Sequence, residues 1–215
     1  MLTFDDGFAD FYWTVAPILT ERGLPATLYV TVGAIHPPGG EPTGSLLPDS
    51  RMLNWRQVGT LDAVGVEIGG HSQTHAQLDT VYGQRRTDEI VGSKKRLEDA
   101  IGHPATAFAY PHGYSSPAVR RQVRAAGWTS ATAVENKFSS ATDDPMRICR
   151  LMVRSDTPDS VFDDWTASPR QPRRPDPGEP LHPWLAVLPP VHPVRRRPGG
   201  RAAQGLTPRT SRHTL

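Results

Sequence analysis

The run Thr3-Phe4-Asp5-Asp6-Gly7 opens the chain, and His71-Ser72-Gln73-Thr74-His75 follows well downstream. The first brings two adjacent carboxylates to a glycine. The second sets two imidazoles four positions apart. Two His and one Asp make a facial set of ligands that suits Zn²⁺ or a similar divalent ion and leaves coordination positions open for water and substrate. The other Asp is then free to take a proton from that water. The chemistry in view is metal-assisted hydrolysis. Each half alone is weak, because Asp-Gly is common in surface turns and paired loop histidines are often merely solvated. The second half is also not the protease motif His-Glu-x-x-His, since Ser72 stands where that motif needs Glu.

Neighbouring side chains on a strand point to opposite faces, so Asp5 and Asp6 can share a pocket only where a strand ends in a turn. Gly7 permits the positive φ that such a turn needs. The spacing of His71 and His75 predicts a helical turn with both rings on one face. Gly69-Gly70 just before it predicts a sharp bend into the site. A third element, Phe108-Ala109-Tyr110-Pro111-His112-Gly113-Tyr114, reads as a strand ending in a Pro-x-Gly loop. Ser116 as N-cap and Pro117 at the first helical position then start a helix.

The rest of the body alternates. Helices are expected over 8–22 (bent at Pro17, stopped by Gly23), 55–63 (capped by Asn54, ended by Gly65), 87–101 and 116–126. Strands are expected over 26–32, 66–68, 106–109 and 129–134, and residues 36–50 form a Pro/Gly loop. This alternation argues for an α/β parallel architecture, with chemistry at the C-terminal strand ends. Asp5-Asp6, His71 and the Pro111 loop all fall at such ends.

Taken in order, Thr-Phe-Asp-Asp-Gly, His-Ser-x-x-His and the Pro-x-Gly loop resemble the polysaccharide deacetylases, the NodB-homology or carbohydrate esterase family 4 domain, over roughly residues 1–155. The resemblance implies a distorted (β/α) barrel and metal-dependent removal of N- or O-linked acetyl groups from carbohydrate. It implies Asp5 as general base and Asp6, His71 and His75 as ligands of one divalent ion. Zn²⁺ is the first choice, with Co²⁺, Ni²⁺ or Mn²⁺ as alternatives. Tyr110, Pro111, Gly113 and Tyr114 would line the substrate pocket, and the His112 backbone N–H would polarise the acyl oxygen.

Three departures qualify the match. Many members carry, in the third motif, an Arg that orients the base; the corresponding residue is Ala109. Many end the domain with a Leu-x-His whose His is the general acid. The late strand Ile148-Cys149-Arg150-Leu151-Met152-Val153 has Val153 there. His112 is then a candidate acid, with a metal-bound water or another group as alternatives. Only Met1 and Leu2 precede Thr3, so the first strand is expected to be truncated. These departures leave two other readings: hydrolysis of a non-sugar amide or imide on the same fold, and a catalytically impaired carbohydrate-binding homologue. The four intact residues Asp5, Asp6, His71 and His75 argue against the last.

Composition divides the chain. Residues 166–215 hold eleven of the 22 prolines, nine Arg, no Lys, and only Asp176 and Glu179 as acids. That segment carries +7 of a total of +2, leaving −5 for residues 1–165. A catalytic domain is expected over 1–160 and a disordered Pro/Arg-rich tail over 166–215. No nucleic-acid partner is expected despite Arg195-Arg196-Arg197. Cys149 is the sole cysteine, which excludes an internal disulfide and reads as a buried structural thiol. No signal peptide or membrane span is visible. His36 and His103 are expected to be solvated loop residues, and Trp13, Trp55 and Trp128 to pack.

Overall fold

A computed structural model describes residues 1–39, 50–135 and 137–167. The tail expected over 166–215 lies, apart from Thr166 and Ala167, outside the described residues, as does most of the 36–50 loop.

Five strands form one parallel sheet in sequence order: β1 (Leu2–Phe4), β2 (Ala26–Val30), β3 (Glu67–Gly70), β4 (Ala107–Ala109) and β5 (Ser130–Thr132). The sheet curls into half a barrel with helices packed around it, as the distorted (β/α) barrel requires. Every residue of β2 and β4 is buried, the signature of parallel strands covered on both faces. The main core runs from Leu28, Val30 and Ile68 through Phe108 and Trp128 to helix residues Leu61, Leu97, Val119 and Val123.

The helices are α1 (Ala16–Glu21), α2 (Trp55–Ala63), α3 (Gly83–Thr87), α4 (Ser93–Ile101), α5 (Pro117–Ala125) and α6 (Asp159–Thr166). The α2 start is a reciprocal capping box: Gln57 N–H donates to Asn54 Oδ1 at 2.9 Å and Asn54 N–H to Gln57 Oε1 at 3.0 Å. Ser116 Oγ accepts the Val119 N–H at 3.3 Å, and Pro117 follows as expected. Two other helices differ from expectation. The first starts at Phe11, and Phe11–Val15 is a wide π turn. Pro17, which has no N–H to donate, sits in the first turn of α1 after it. The helix expected over 87–101 begins earlier, at Gly83, and contains a second π turn at Asp88–Gly92.

The late strand does not form. Ile148 makes a single parallel bridge to Thr132, no strand follows it, and Val153 is exposed. From here the Arg150 side chain reaches across to β1 instead. His36 also departs from expectation: it is buried, and its backbone pairs with Leu53 and Trp55. His103 is half exposed and pairs with Asp62 at 2.9 Å. Trp128 is fully buried, Trp55 packs on the core, and Trp13 is 45% exposed.

The Gly69-Gly70 pair does not bend the chain. Both residues are the last of β3, and neither has positive φ. Close approach is what excludes a side chain. A Cβ on Gly69 would lie 2.5 Å from the Tyr29 ring and 2.8 Å from the Ala107 carbonyl; one on Gly70 would lie 2.5 Å from Trp128. Gly69→Ala is therefore expected to destabilise the fold by about 1–3 kcal/mol through overpacking. Urea denaturation measures this, and an unchanged midpoint would show that Tyr29 can yield.

Candidate active site

The end of β1 turns sharply. Asp6 has φ 75° and Gly7 φ 90°, and Gly7 N–H bonds back to the Asp5 carbonyl at 3.0 Å. Asp tolerates this left-handed geometry better than most residues because its short polar side chain can bond locally. The turn is tied to the next strand end, since Thr31 N–H donates to the Asp6 carbonyl at 3.1 Å.

His71 follows β3 directly, and its N–H donates to the Val30 carbonyl at 2.9 Å. The 71–75 segment is an irregular loop and not the helical turn expected from spacing. Ser72 and His75 stand at φ 63° and 61°, and this folds the second imidazole back toward the first. The rings meet edge to face with centroids 4.8 Å apart.

The second turn converges on the first. His71 Nε2 lies 3.5 Å from Asp6 Oδ1, and His75 Nε2 lies 3.3 Å from the same oxygen. Two ligands at about 2.1 Å on a tetrahedral ion are roughly 3.4 Å apart, so these separations suit one small divalent cation. Two further observations fit it. His71 Nδ1 lies 2.8 Å from the Ala109 carbonyl oxygen, which can only accept. Nδ1 therefore carries the proton, and in the neutral ring Nε2 presents its lone pair to a carboxylate oxygen. That oxygen, Asp6 Oδ1, is buried and has no hydrogen-bond partner. Asp6, His71 and His75 each offer one ligand atom here, and the three together could hold a metal ion. Burial, together with the neighbouring His71, lowers the His75 pKa and outweighs the opposing pull of Asp6. A neutral imidazole is the form that ligates.

Asp5 stands beside this set, with Oδ2 3.9 Å from His71 Nε2, and has a partner of its own. Arg150 Nη1 donates to Asp5 Oδ1 at 2.7 Å and Nη2 to Oδ2 at 2.8 Å, a bidentate fork. Arg150 Nη1 also donates to Thr3 Oγ1 and Nε to the Ala133 carbonyl. The guanidinium lies over the Tyr29 ring at 5.7 Å. Burial alone would raise the Asp5 pKa. The hydrogen bonds from Arg150 and the charges of His71 and Arg150 outweigh it, holding Asp5 below its ordinary value.

The Pro-x-Gly loop completes the cluster. Pro111–Gly113 is a short 3₁₀ turn with His112 at φ 60° and Gly113 at φ 79°. The His112 ring is edge-on to His75 at 4.6 Å. Tyr114 is exposed beside it. Tyr110 departs from its expected role. It is fully buried, and its hydroxyl donates to the Met146 carbonyl at 2.9 Å, so its side chain belongs to the core and not to a pocket wall. Pro111 is likewise buried.

The sequence profile of the polysaccharide deacetylases matches residues 1–131. The chain belongs to the polysaccharide deacetylase family. A relative named for the same family, YxkH of Bacillus subtilis (strain 168), is 22% identical over 162 residues, covering 75% of this chain and 54% of the relative. The chain thus spans about half the length of that protein. Among solved structures, the Streptococcus pyogenes deacetylase PplD in complex with acetate matches with TM-score 0.66 and 23% identity, over 76% of this chain and 68% of its own. IcaB from Ammonifex degensii matches with TM-score 0.66 and 23% identity, over 77% and 71%. At such identities the two structures establish the fold.

Family membership sharpens the significance of Arg150. The Arg expected in the third motif is absent, and Ala109 there is buried, with its carbonyl facing His71. A different Arg contacts Asp5 from beyond β5. Its signal in the sequence was a lone cation inside the apolar run Ile148–Val153, where a charge needs a counter-charge. Arg150→Gln removes the fork and the positive charge, so the Asp5 pKa rises and the ionised form is lost at higher pH. The acid limb of the kcat/KM profile should move upward, and the plateau should fall about 10–100-fold. An unmoved limb would separate Arg150 from the base expected at Asp5.

Proposed function

We propose that the chain is a metal-dependent hydrolase that removes acetyl groups from N- or O-acetylated carbohydrate. The observation carrying this reading is the split between the two adjacent carboxylates. Asp5 has both oxygens engaged by Arg150, while Asp6 presents an unpartnered buried oxygen to two imidazoles. A divalent ion held by Asp6, His71 and His75, with Zn²⁺ the first choice, would polarise the acyl carbonyl and acidify water.

The chain's own groups have distinct tasks. Asp5, kept ionised and fixed in direction by Arg150, accepts the proton of the attacking water. The His112 backbone N–H, on the left-handed turn, assists the developing oxyanion. The His112 side chain, exposed beside His75, donates a proton to the departing amine or alcohol. Tyr114, exposed on the same loop, offers an apolar ring to a sugar, and Gly113 lets the loop lie against Val134. The Arg150 contact also counts against an impaired binding homologue, since that alternative drew on the absence of an orienting Arg. Among the described residues no helix is long and apolar enough to cross a membrane.

Acetate release from acetylated glucosamine oligomers, with Zn²⁺ and after chelation, tests the activity. Asp5→Asn should keep one metal per chain and lose about 10²–10⁴-fold in turnover, the usual contribution of a general base. Loss of the metal in that variant, with activity regained in excess Zn²⁺, would exchange the roles of Asp5 and Asp6.

A further inference from the structure

The irregular 71–75 loop needs external support, because two of its five residues adopt left-handed backbone geometry. One side is braced by backbone. Val32 N–H donates to the Ser72 carbonyl at 3.1 Å, and Gly33 N–H to the Gln73 carbonyl at 2.7 Å. Inside the loop, His75 N–H donates to Ser72 Oγ at 3.0 Å. The other side rests on a single carboxylate, that of Glu89. Its Oε2 accepts the N–H groups of Gln73 at 3.0 Å and Thr74 at 2.9 Å, and its Oε1 accepts the Thr74 hydroxyl.

Glu89 is 4% exposed. Burying a carboxylate is costly unless its oxygens are satisfied, and here the loop supplies all three recorded donors. The residue lies in the π turn Asp88–Gly92, in which Ser93 N–H reaches back five residues to the Asp88 carbonyl. π turns inside helices often occur at functional sites. This one is pinned by Ser93 Oγ on the Glu89 carbonyl at 2.6 Å and Trp128 Nε1 on the Ile90 carbonyl at 3.4 Å.

We infer that Glu89 is a positioning residue for the metal-ligand loop: it fixes the Gln73–Thr74 backbone so that His75 Nε2 faces Asp6 Oδ1. The inference rests on the metal site proposed above. The two backbone N–H groups require an acceptor at Oε2, whereas the Thr74 hydroxyl on Oε1 can donate or accept. A Gln at position 89 could still meet all three groups, with its NH₂ donating to the Thr74 hydroxyl, whereas an Ala leaves both backbone N–H groups without an acceptor. The imidazole it positions belongs to the next residue along, His75, which stands at φ 61°.

The test is Co²⁺ titration followed by visible absorption, with thermal melting of the metal-free protein alongside, for the full chain, Glu89→Ala and Thr74→Val. Titrations are run well below each melting midpoint. The full chain should bind one Co²⁺. Glu89→Ala should bind it 10–100-fold more weakly, with a changed ligand-field spectrum. Thr74→Val, which keeps the carboxylate and both backbone bonds, should shift affinity a few-fold in the same direction and carries the test if Glu89→Ala does not fold. Lower melting midpoints with unchanged affinity and spectrum would reduce Glu89 to a fold-stabilising residue and overturn the inference. A full chain that takes up no Co²⁺ would overturn the metal reading itself, and the inference with it.

Discussion

Two carboxylates on one tight turn repel each other, and Arg150 resolves that conflict by giving one of them a partner of its own. Its guanidinium reaches from beyond β5 to the end of β1, 145 residues away in sequence. Both oxygens of Asp5 are taken up, and Asp6 is left facing His71 and His75. The pair is partly withdrawn from water, with side-chain exposures of 9% for Arg150 and 25% for Asp5. In such surroundings a lone charge is costly, and each group offsets part of that cost for the other. The same contact links the two margins of the curled sheet, through Asp5 and Thr3 on one side and the Ala133 carbonyl on the other.

Backbone strain is concentrated where the chemistry would be. Among the described residues, Asp6, Ser72, His75 and His112 are the non-glycine residues with positive φ. Each costs of order 1–3 kcal/mol and persists only when its surroundings over-determine it. The surroundings here are the strand ends. Val30, Thr31, Val32 and Gly33 bond in succession to the turns at Asp6 and His71–Gln73. Gly33 has no room for a side chain, because a Cβ would lie 2.3 Å from the Gln73 carbonyl oxygen. A well-packed sheet with four short parallel ladders thus lends its stability to turns that would not hold their shape alone.

Much of this was legible before any coordinates. The alternation of elements, the Asn54 and Ser116 caps and the placement of Asp5-Asp6, His71 and the Pro111 loop at strand ends follow from local chemistry, which the fold keeps. Contacts between segments distant in sequence were harder to read. The spacing of His71 and His75 suggested a helix because i and i+4 share a helical face, but an irregular loop with two left-handed residues achieves the same convergence. Gly69-Gly70 suggested a bend, and the cause is instead the bulk of Tyr29 and Trp128 across the sheet. Tyr110 looked like a pocket residue from its place in a motif, yet its hydroxyl finds a partner only at Met146. Arg150 was hidden because its position next to Asp5 depends on how the whole sheet curls.

The central claim is that one divalent ion is held by Asp6, His71 and His75 while Asp5 stays with Arg150. Anomalous diffraction from crystals soaked in Zn²⁺ tests it most directly. A single peak should lie between Asp6 Oδ1, His71 Nε2 and His75 Nε2, with the Asp5–Arg150 fork intact. A peak bound by Asp5 with Arg150 displaced, or one away from the two imidazoles, would contradict the account.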